Sequence, residues 1–135
     1  MNFITGIKST GSALNAEKVR MDIVAQNIAN AHTTRDVDGN PYKRKVVSFE
    51  AVLGSERGTS GGVRVSGITN DNREGETIYN PQHPHADKDG VVRMPNVNLS
   101  IEMVDMLSAS RAYEANLAVV RNAKQMAAKA LAIGR

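Results

Sequence analysis

LSIEMVDMLSASRAYEANLAVVRNAKQMAAKALAIGR, residues 99–135, decides the fold. The stretch holds no proline, and its only glycine is Gly134. The strong helix formers Ala, Leu, Met, Glu, Lys and Arg dominate it. Alternate steps of four and three pick out Leu99, Met103, Met106, Ser110, Tyr113, Leu117, Val120, Lys124, Ala127 and Leu131. Eight of these ten are apolar, which is a heptad seam of the coiled-coil kind. Asn98, just after Pro95, is placed to cap the start of the helix, and Gly134 to follow its end. At 1.5 Å per residue the helix runs about 50 Å, longer than a 135-residue globule needs for its own core.

The other end of the chain repeats the pattern more weakly. Ile4, Ile7, Gly11, Leu14, Lys18, Met21, Ala25 and Ile28 share the spacing. Gly6 and Gly11 each cost a helix about 1 kcal/mol relative to Ala, so the first turns are expected to fray in water until a partner surface orders them. Asn30 is expected to end this helix, with a left-handed conformation as one way of doing so.

Between the helices the chain reads differently. Asp38-Gly39-Asn40-Pro41 is a turn cluster. From Tyr42 to Leu53, Val47, Phe49, Ala51 and Leu53 alternate with more polar neighbours, as in a strand. Residues 54–62 hold four glycines in nine and read as a loop. Val63-Arg64-Val65 begins a second strand that extends toward Ile68, and Asn70–Glu76 is a polar loop. Thr77-Ile78-Tyr79 is a short pairing segment. Residues 80–98, with three prolines and an Asp89-Gly90 turn, are expected to be largely extended. The expected organisation is therefore an N-terminal helical part over 1–31, a central β and extended part over 32–97, and a C-terminal helical part over 98–135.

Composition excludes several function classes. There is no cysteine, hence no disulfide, thiolate metal site or cysteine nucleophile. Aromatics make up 4% and tryptophan is absent, so the core relies on aliphatic residues and alanine. The net charge of +3 lacks the clustered basic face of a nucleic-acid binder. No apolar run reaches the roughly 18 residues of a membrane span. The N-terminus has no apolar region followed by a small-residue cleavage site, so export by a cleaved signal is not expected.

The simplest way to cover two narrow seams is to pack the helices side by side, antiparallel. The expected fold is mainly α with a small β region: terminal helices packed as an antiparallel coiled coil, and a central extended and β-hairpin segment. Ala109, Ala112, Ala115, Ala118, Ala123, Ala127, Ala128 and Ala130 offer small-residue faces to further helices, which implies packing against other subunits. The alternative is a monomeric helical hairpin whose alanines only raise helix propensity.

Two stretches carry a resemblance. Ser12–Ala16 with Met21–Ala31 resembles the N-terminal signature of bacterial flagellar rod, hook and related axial proteins. Val97–Met126, with Glu102–Met106 and Ser110–Asn116, resembles their C-terminal signature. Asn80-Pro81-Gln82-His83-Pro84-His85-Ala86-Asp87, Asp89–Val92 and Met94–Asn98 resemble the proximal-rod members, whose short length this chain shares. The resemblance implies a structural subunit of the proximal rod, which polymerises into the shaft carrying torque from motor to hook. It implies partners among other rod proteins, copies of itself, the type III export apparatus and the base of the basal body, including the MS ring and rod adaptor. It implies a periplasm-spanning rod position after export without a cleaved signal peptide. Another short rod or axial protein is the alternative within the same family.

The residues assigned to assembly are Leu14, Met21, Asn27, Ile28, Asn30, Pro95, Asn96, Met103, Met106, Arg111, Tyr113, Asn116, Leu117 and Val120. Lys18, Ser110 and Lys124 interrupt the seams. The lysines either snorkel to the helix edge or meet a neighbouring carboxylate. Arg111 either bridges Glu114 and Asp105 within its helix or reaches another subunit. Asn30 is either a plain helix cap or a subunit contact. His83, His85, Asp87 and Asp89 do not follow a calcium-loop pattern, since Val92 and Asn98 stand where glycine and glutamate belong. No metal, cofactor or catalytic group is assigned. Lys43-Arg44-Lys45 reads as a solvated strand edge. A hydrolase finds no acid/base pair in a motif, and a basic helical adaptor for nucleic acid lacks stacking aromatics.

Overall fold

A computed structural model describes residues 3–53 and 61–133. The seven residues between these ranges, part of the glycine-rich loop, and Gly134 as helix terminator lie outside the described residues, as does the Ile4 side chain. The element order is α1 (Phe3–Ala29), β1 (Lys45–Val52), β2 (Gly62–Asn70), β3 (Thr77–Tyr79), β4 (Val91–Arg93) and α2 (Leu99–Ile133). The fold is mainly α with a small β region.

The long helix forms as its composition dictates. Asn98 Oδ1 accepts from the amides of Ser100 at 3.1 Å and Ile101 at 3.2 Å, satisfying two of the orphan donors of α2. Glu102 in the first turn also suits the helix dipole. The two helices lie antiparallel: Asn27 meets Glu102, and Arg20, two turns back along α1, meets Asp105, further on along α2.

The seam differs from the one expected. On α2 the buried positions are Glu102, Ala109 and Ala123, with half-buried Met106, Tyr113, Asn116, Val120 and Ala127 completing the steps of four and three. Six of the ten expected seam residues are half-buried, Met106, Ser110, Tyr113, Leu117, Val120 and Ala127, while Leu99, Met103, Lys124 and Leu131 are exposed. The most buried line lies one residue before the expected Met103, Ser110, Leu117 and Lys124. At 100° per residue, the stripe is turned by about 50°. Alanine on the turned face lets the backbones approach closely. On α1, Ala16, Ile23, Val24 and Asn27 are buried, Leu14, Met21 and Ile28 are half-buried, and Gly11, Lys18 and Ala25 face solvent.

The β1–β2 hairpin lies along α1. Its register runs from Lys45↔Asn70 to Val52↔Gly62, and it slips by one residue between Ser48 and Phe49, leaving Ser66 as a bulge. Ser66 Oγ donates to the Ser48 carbonyl at 3.1 Å. A two-stranded ribbon is marginal alone. This one is pinned near its loop end by Ser12, whose Oγ accepts from the Val63 amide at 3.0 Å and donates to the Ser9 carbonyl at 2.7 Å. The first strand starts three residues later than expected, because Tyr42 and Arg44 before it turn to Asn27 of α1 and Glu102 of α2. The second reaches Asn70, two residues past Ile68 and one residue into the expected loop.

Residues 80–98 are less extended than expected, since turns occupy 81–85 and 88–90, while Val91–Arg93 is extended and pairs with β3 as β4. The turn between them is built on Asp87, whose Oδ1 accepts from the amides of Asp89 at 3.0 Å and Val91 at 2.9 Å. Gly90 takes φ +75° there, and a side chain would press on Pro81 and Tyr79. Gly75 is held for space: a Cβ would collide with the Met94 carbonyl. No described non-glycine residue has positive φ, so Asn30 does not end α1 in a left-handed conformation. Its side chain instead donates to the Gln26 carbonyl at 2.9 Å and accepts from Thr33 Oγ1 at 3.1 Å.

Candidate assembly interface

Four segments meet where the helices enter the β region: the end of α1, residues 42–45, residues 94–98 and the first turn of α2. Asn27, completely buried, makes four hydrogen bonds there. Its Nδ2 donates to the Lys45 carbonyl at 2.9 Å and to Glu102 Oε2 at 3.0 Å. Its Oδ1 accepts from the Lys45 amide and from the Tyr42 hydroxyl, both at 2.9 Å. One amide side chain thus mimics a strand partner for Lys45 while holding α1 to α2.

Glu102 is also completely buried. Its second oxygen accepts from Arg44 Nε at 2.5 Å, and Arg44 reaches on to Asp105 at 3.3 Å. Arg44 is therefore no solvated edge residue. Its side chain turns inward and neutralises the buried carboxylate, as a buried charge requires. Asp105 is shared with Arg20, which faces it at 3.5 Å. Arg111, for which a bridge to Glu114 and Asp105 within its helix is one of the two expectations, is exposed and forms no salt bridge among the described residues.

Asn96 fastens the returning chain. Its Oδ1 accepts from the Arg44 amide at 2.8 Å and its Nδ2 donates to the Asp71 carbonyl at 3.0 Å. Pro95 beside it is buried. Burial raises the Tyr42 hydroxyl above its ordinary pKa, with Glu102 and then Asp36 adding to the shift. Hydrogen bonds from Arg73 bring the Asp71 carboxyl down to about 2.

Of the residues assigned to assembly, the root brings together Asn27, Pro95 and Asn96. Ile28 and Asn30 lie at the adjoining end of α1. Leu14, Met21, Met106, Tyr113, Asn116, Leu117 and Val120 are spread, half-buried, along the helices. Met103 is 58% exposed and does not join the seam. Glu102, Arg44 and Tyr42 were not assigned. The signal for Glu102 was its step of seven from Ala109, which an apolar count ignores.

Much apolar surface remains uncovered. Ile101, Val104, Leu107, Val119, Met126, Leu131 and Ile133 on α2 are each more than half exposed. The chain's accessible surface is 9965 Å², against roughly 6,900 Å² for a compact monomer of this mass.

Two paired helices, a small β region between them and a large uncovered apolar surface fit a subunit built for assembly, and sequence comparison says of which class. The family model described as Flagella basal body rod protein matches residues 7–35. The model described as Flagellar basal body rod FlgEFG protein C-terminal matches residues 88–133. These segments hold most of α1 with Asn27 and all of α2 with Glu102, so the class is that of flagellar basal-body rod proteins. Within it, the chain belongs to the FlgC family. It is 41% identical to the flagellar basal-body rod protein FlgC of Bacillus subtilis (strain 168) over all of both chains. It is 40% identical to that of Borreliella burgdorferi over 98% of each chain, and 39% identical to that of Yersinia enterocolitica over all of both.

Proposed function

We propose that this chain is a structural, non-enzymatic subunit of the proximal rod of the bacterial flagellar basal body. Copies of it, with other rod proteins, polymerise into the drive shaft that carries torque from motor to hook. The surplus of about 3,000 Å² of accessible surface over a compact monomer carries this reading. A standard interface covers about 800 Å² per partner, so the surplus corresponds to several neighbours.

The terminal parts, 1–31 and 98–135, serve as axial helices that pair as an antiparallel coiled coil, and 32–97 is the outer part. The seam and root residues set the shape of the pair, while Arg111, Leu117 and the exposed apolar positions face neighbours. The subunit passes through the type III export apparatus without a cleaved signal and docks at the basal-body base. Its weakly self-sufficient helices suit export in an unfolded state.

The test is Leu117→Asp. Leu117 is half-buried at the edge of the seam, so a charge there opposes a neighbour more than it opposes the fold. The expected result is a normally synthesised protein, absent from purified basal bodies, and non-motile cells. Motile cells with the variant in their basal bodies overturn the reading.

A further inference from the structure

The root of the helices carries an open groove of about 710 Å³. Ile78, Leu99 and Ile101 give it apolar walls, and Glu74 and Glu76 give it negative charge. Its two arginines are already engaged, Arg44 by Glu102 and Asp105, Arg73 by Asp71. Glu74 and Glu76 are exposed and form no salt bridge among the described residues.

The far end of α2 is its complement. Residues 115–133 contain no acidic side chain. Arg121, Lys124, Ala128 and Leu131 follow in steps of three, four and three, which places them on one exposed stripe. Leu131 is 76% exposed. Neither Arg121 nor Lys124 forms a salt bridge among the described residues. Lys124 and Leu131 in this stripe are expected seam positions that the helix pair leaves exposed.

We infer that the Arg121–Leu131 stripe of one copy docks into the Glu74/Glu76 groove at the root of the next copy. The inference rests on the rod reading and specifies one of its contacts. A chain cannot satisfy the contact itself: Ile101 and Leu131 stand about 45 Å apart on one rigid helix. Complementary patches at opposite ends of a molecule make a head-to-tail contact that leaves one of each patch free at every step. Such a heterologous contact builds an open filament rather than a closed dimer. The apolar walls receive Leu131, and the acidic side chains meet Arg121 and Lys124.

The chain has no cysteine, so a designed pair reports without background. Basal bodies are purified from cells carrying the double variant Ile101→Cys/Leu131→Cys and oxidised. The expected result is a ladder of cross-linked dimers and larger species on a non-reducing gel. Closure within one chain is excluded, because a disulfide needs Cα atoms within about 7 Å. Basal bodies that contain the variant yet yield only monomer overturn the inference. A second arm reads charge. Glu74→Lys/Glu76→Lys is expected to lower incorporation into basal bodies at least tenfold, and adding Arg121→Glu/Lys124→Glu in the same chain to restore it. Unchanged incorporation in the first variant, or none regained in the second, also overturns it. Absence of the tagged, otherwise unaltered chain from basal bodies overturns the rod reading instead.

Discussion

Asn27→Asp keeps the shape of the side chain at the helix root and replaces the two-donor NH2 with a second oxygen. That oxygen lies where Nδ2 now sits, 3.0 Å from Glu102 Oε2 and 2.9 Å from the Lys45 carbonyl. At an effective dielectric of 20, two unit charges 3 Å apart repel by about 5.5 kcal/mol. The pair has a cheaper alternative, which is to take up a proton. Holding a carboxyl of ordinary pKa near 4 protonated at pH 7 costs about 4 kcal/mol, so that value caps the electrostatic penalty. The single proton restores one of the two donated bonds. The other loss, at the Lys45 carbonyl or the Glu102 carboxylate, adds about 1 kcal/mol. The variant is therefore expected to be less stable than the parent by about 5 kcal/mol at pH 7, comparable to the whole stability of a small domain.

The deficit carries a pH signature. Between about pH 4 and 7 the folded variant binds one proton more than its unfolded chain, so its stability falls with rising pH by about 1.4 kcal/mol per unit relative to the parent. Urea unfolding of the full chain, followed by circular dichroism at 222 nm, measures both proteins at pH 5 and pH 7. The expected deficit at pH 5 is about 2 kcal/mol. A variant within about 1 kcal/mol of the parent at both pH values, or one whose deficit does not change with pH, refutes the account of Asn27 as a buried four-bond junction against an ionised Glu102.

Two further outcomes are expected. Tyr42 keeps its proton in the folded state above the pH at which an unfolded tyrosine releases it, so the unfolded chain binds fewer protons there and stability drops as pH rises past about 10. Alkaline urea titrations of the parent and Tyr42→Phe check this: the variant is less stable at pH 7 through loss of the 2.9 Å bond to Asn27, and its stability depends less on alkaline pH. An equally steep alkaline loss in Tyr42→Phe counts against it. In the isolated chain, amide hydrogen exchange is expected to be slowest around Ile23–Asn27 and Met106–Ala109, and fast over residues 128–133, whose side chains are mostly exposed. Uniform protection along α2 contradicts this.

Both helices and the hairpin were legible in the sequence because each follows from local rules, and the antiparallel pairing because two narrow seams at opposite ends of the chain need cover. Proline-free runs of helix formers, the Asn98 cap and alternation through Val47 and Phe49 act within a few residues of chain. The rotation of the helices was not legible. An apolar count favours Met103, Leu117 and Leu131 over Glu102, Ala109 and Ala123. The count misjudges a face whose contacts are close backbone approach over alanine and a carboxylate neutralised from 58 positions away by Arg44. Arg44 was misread for the same reason: in a Lys-Arg-Lys run nothing marks the middle residue as turning inward. Asn27 and Asn96 were picked out only through the family resemblance, and no local rule assigns their partners.

The helix root explains why the less apolar face is turned inward. Turning α2 by one residue would bring Met103, Ser110, Leu117 and Lys124 toward α1 and gain apolar burial, but it would carry Glu102 away from Asn27 and Arg44. The buried Asn27 amide and the inward-turned Arg44 guanidinium, both deprived of Glu102, then cost several kcal/mol, more than one or two additional methionine or leucine contacts return. The polar root thus fixes the rotation of the pair, a registry role of the kind a buried polar residue plays in coiled coils. Because that rotation is fixed, Leu117, Lys124 and Leu131 fall along the edge and outer face of α2 rather than at its centre line. The same hydrogen bonds that hold the subunit together therefore decide which stripe it presents outside itself.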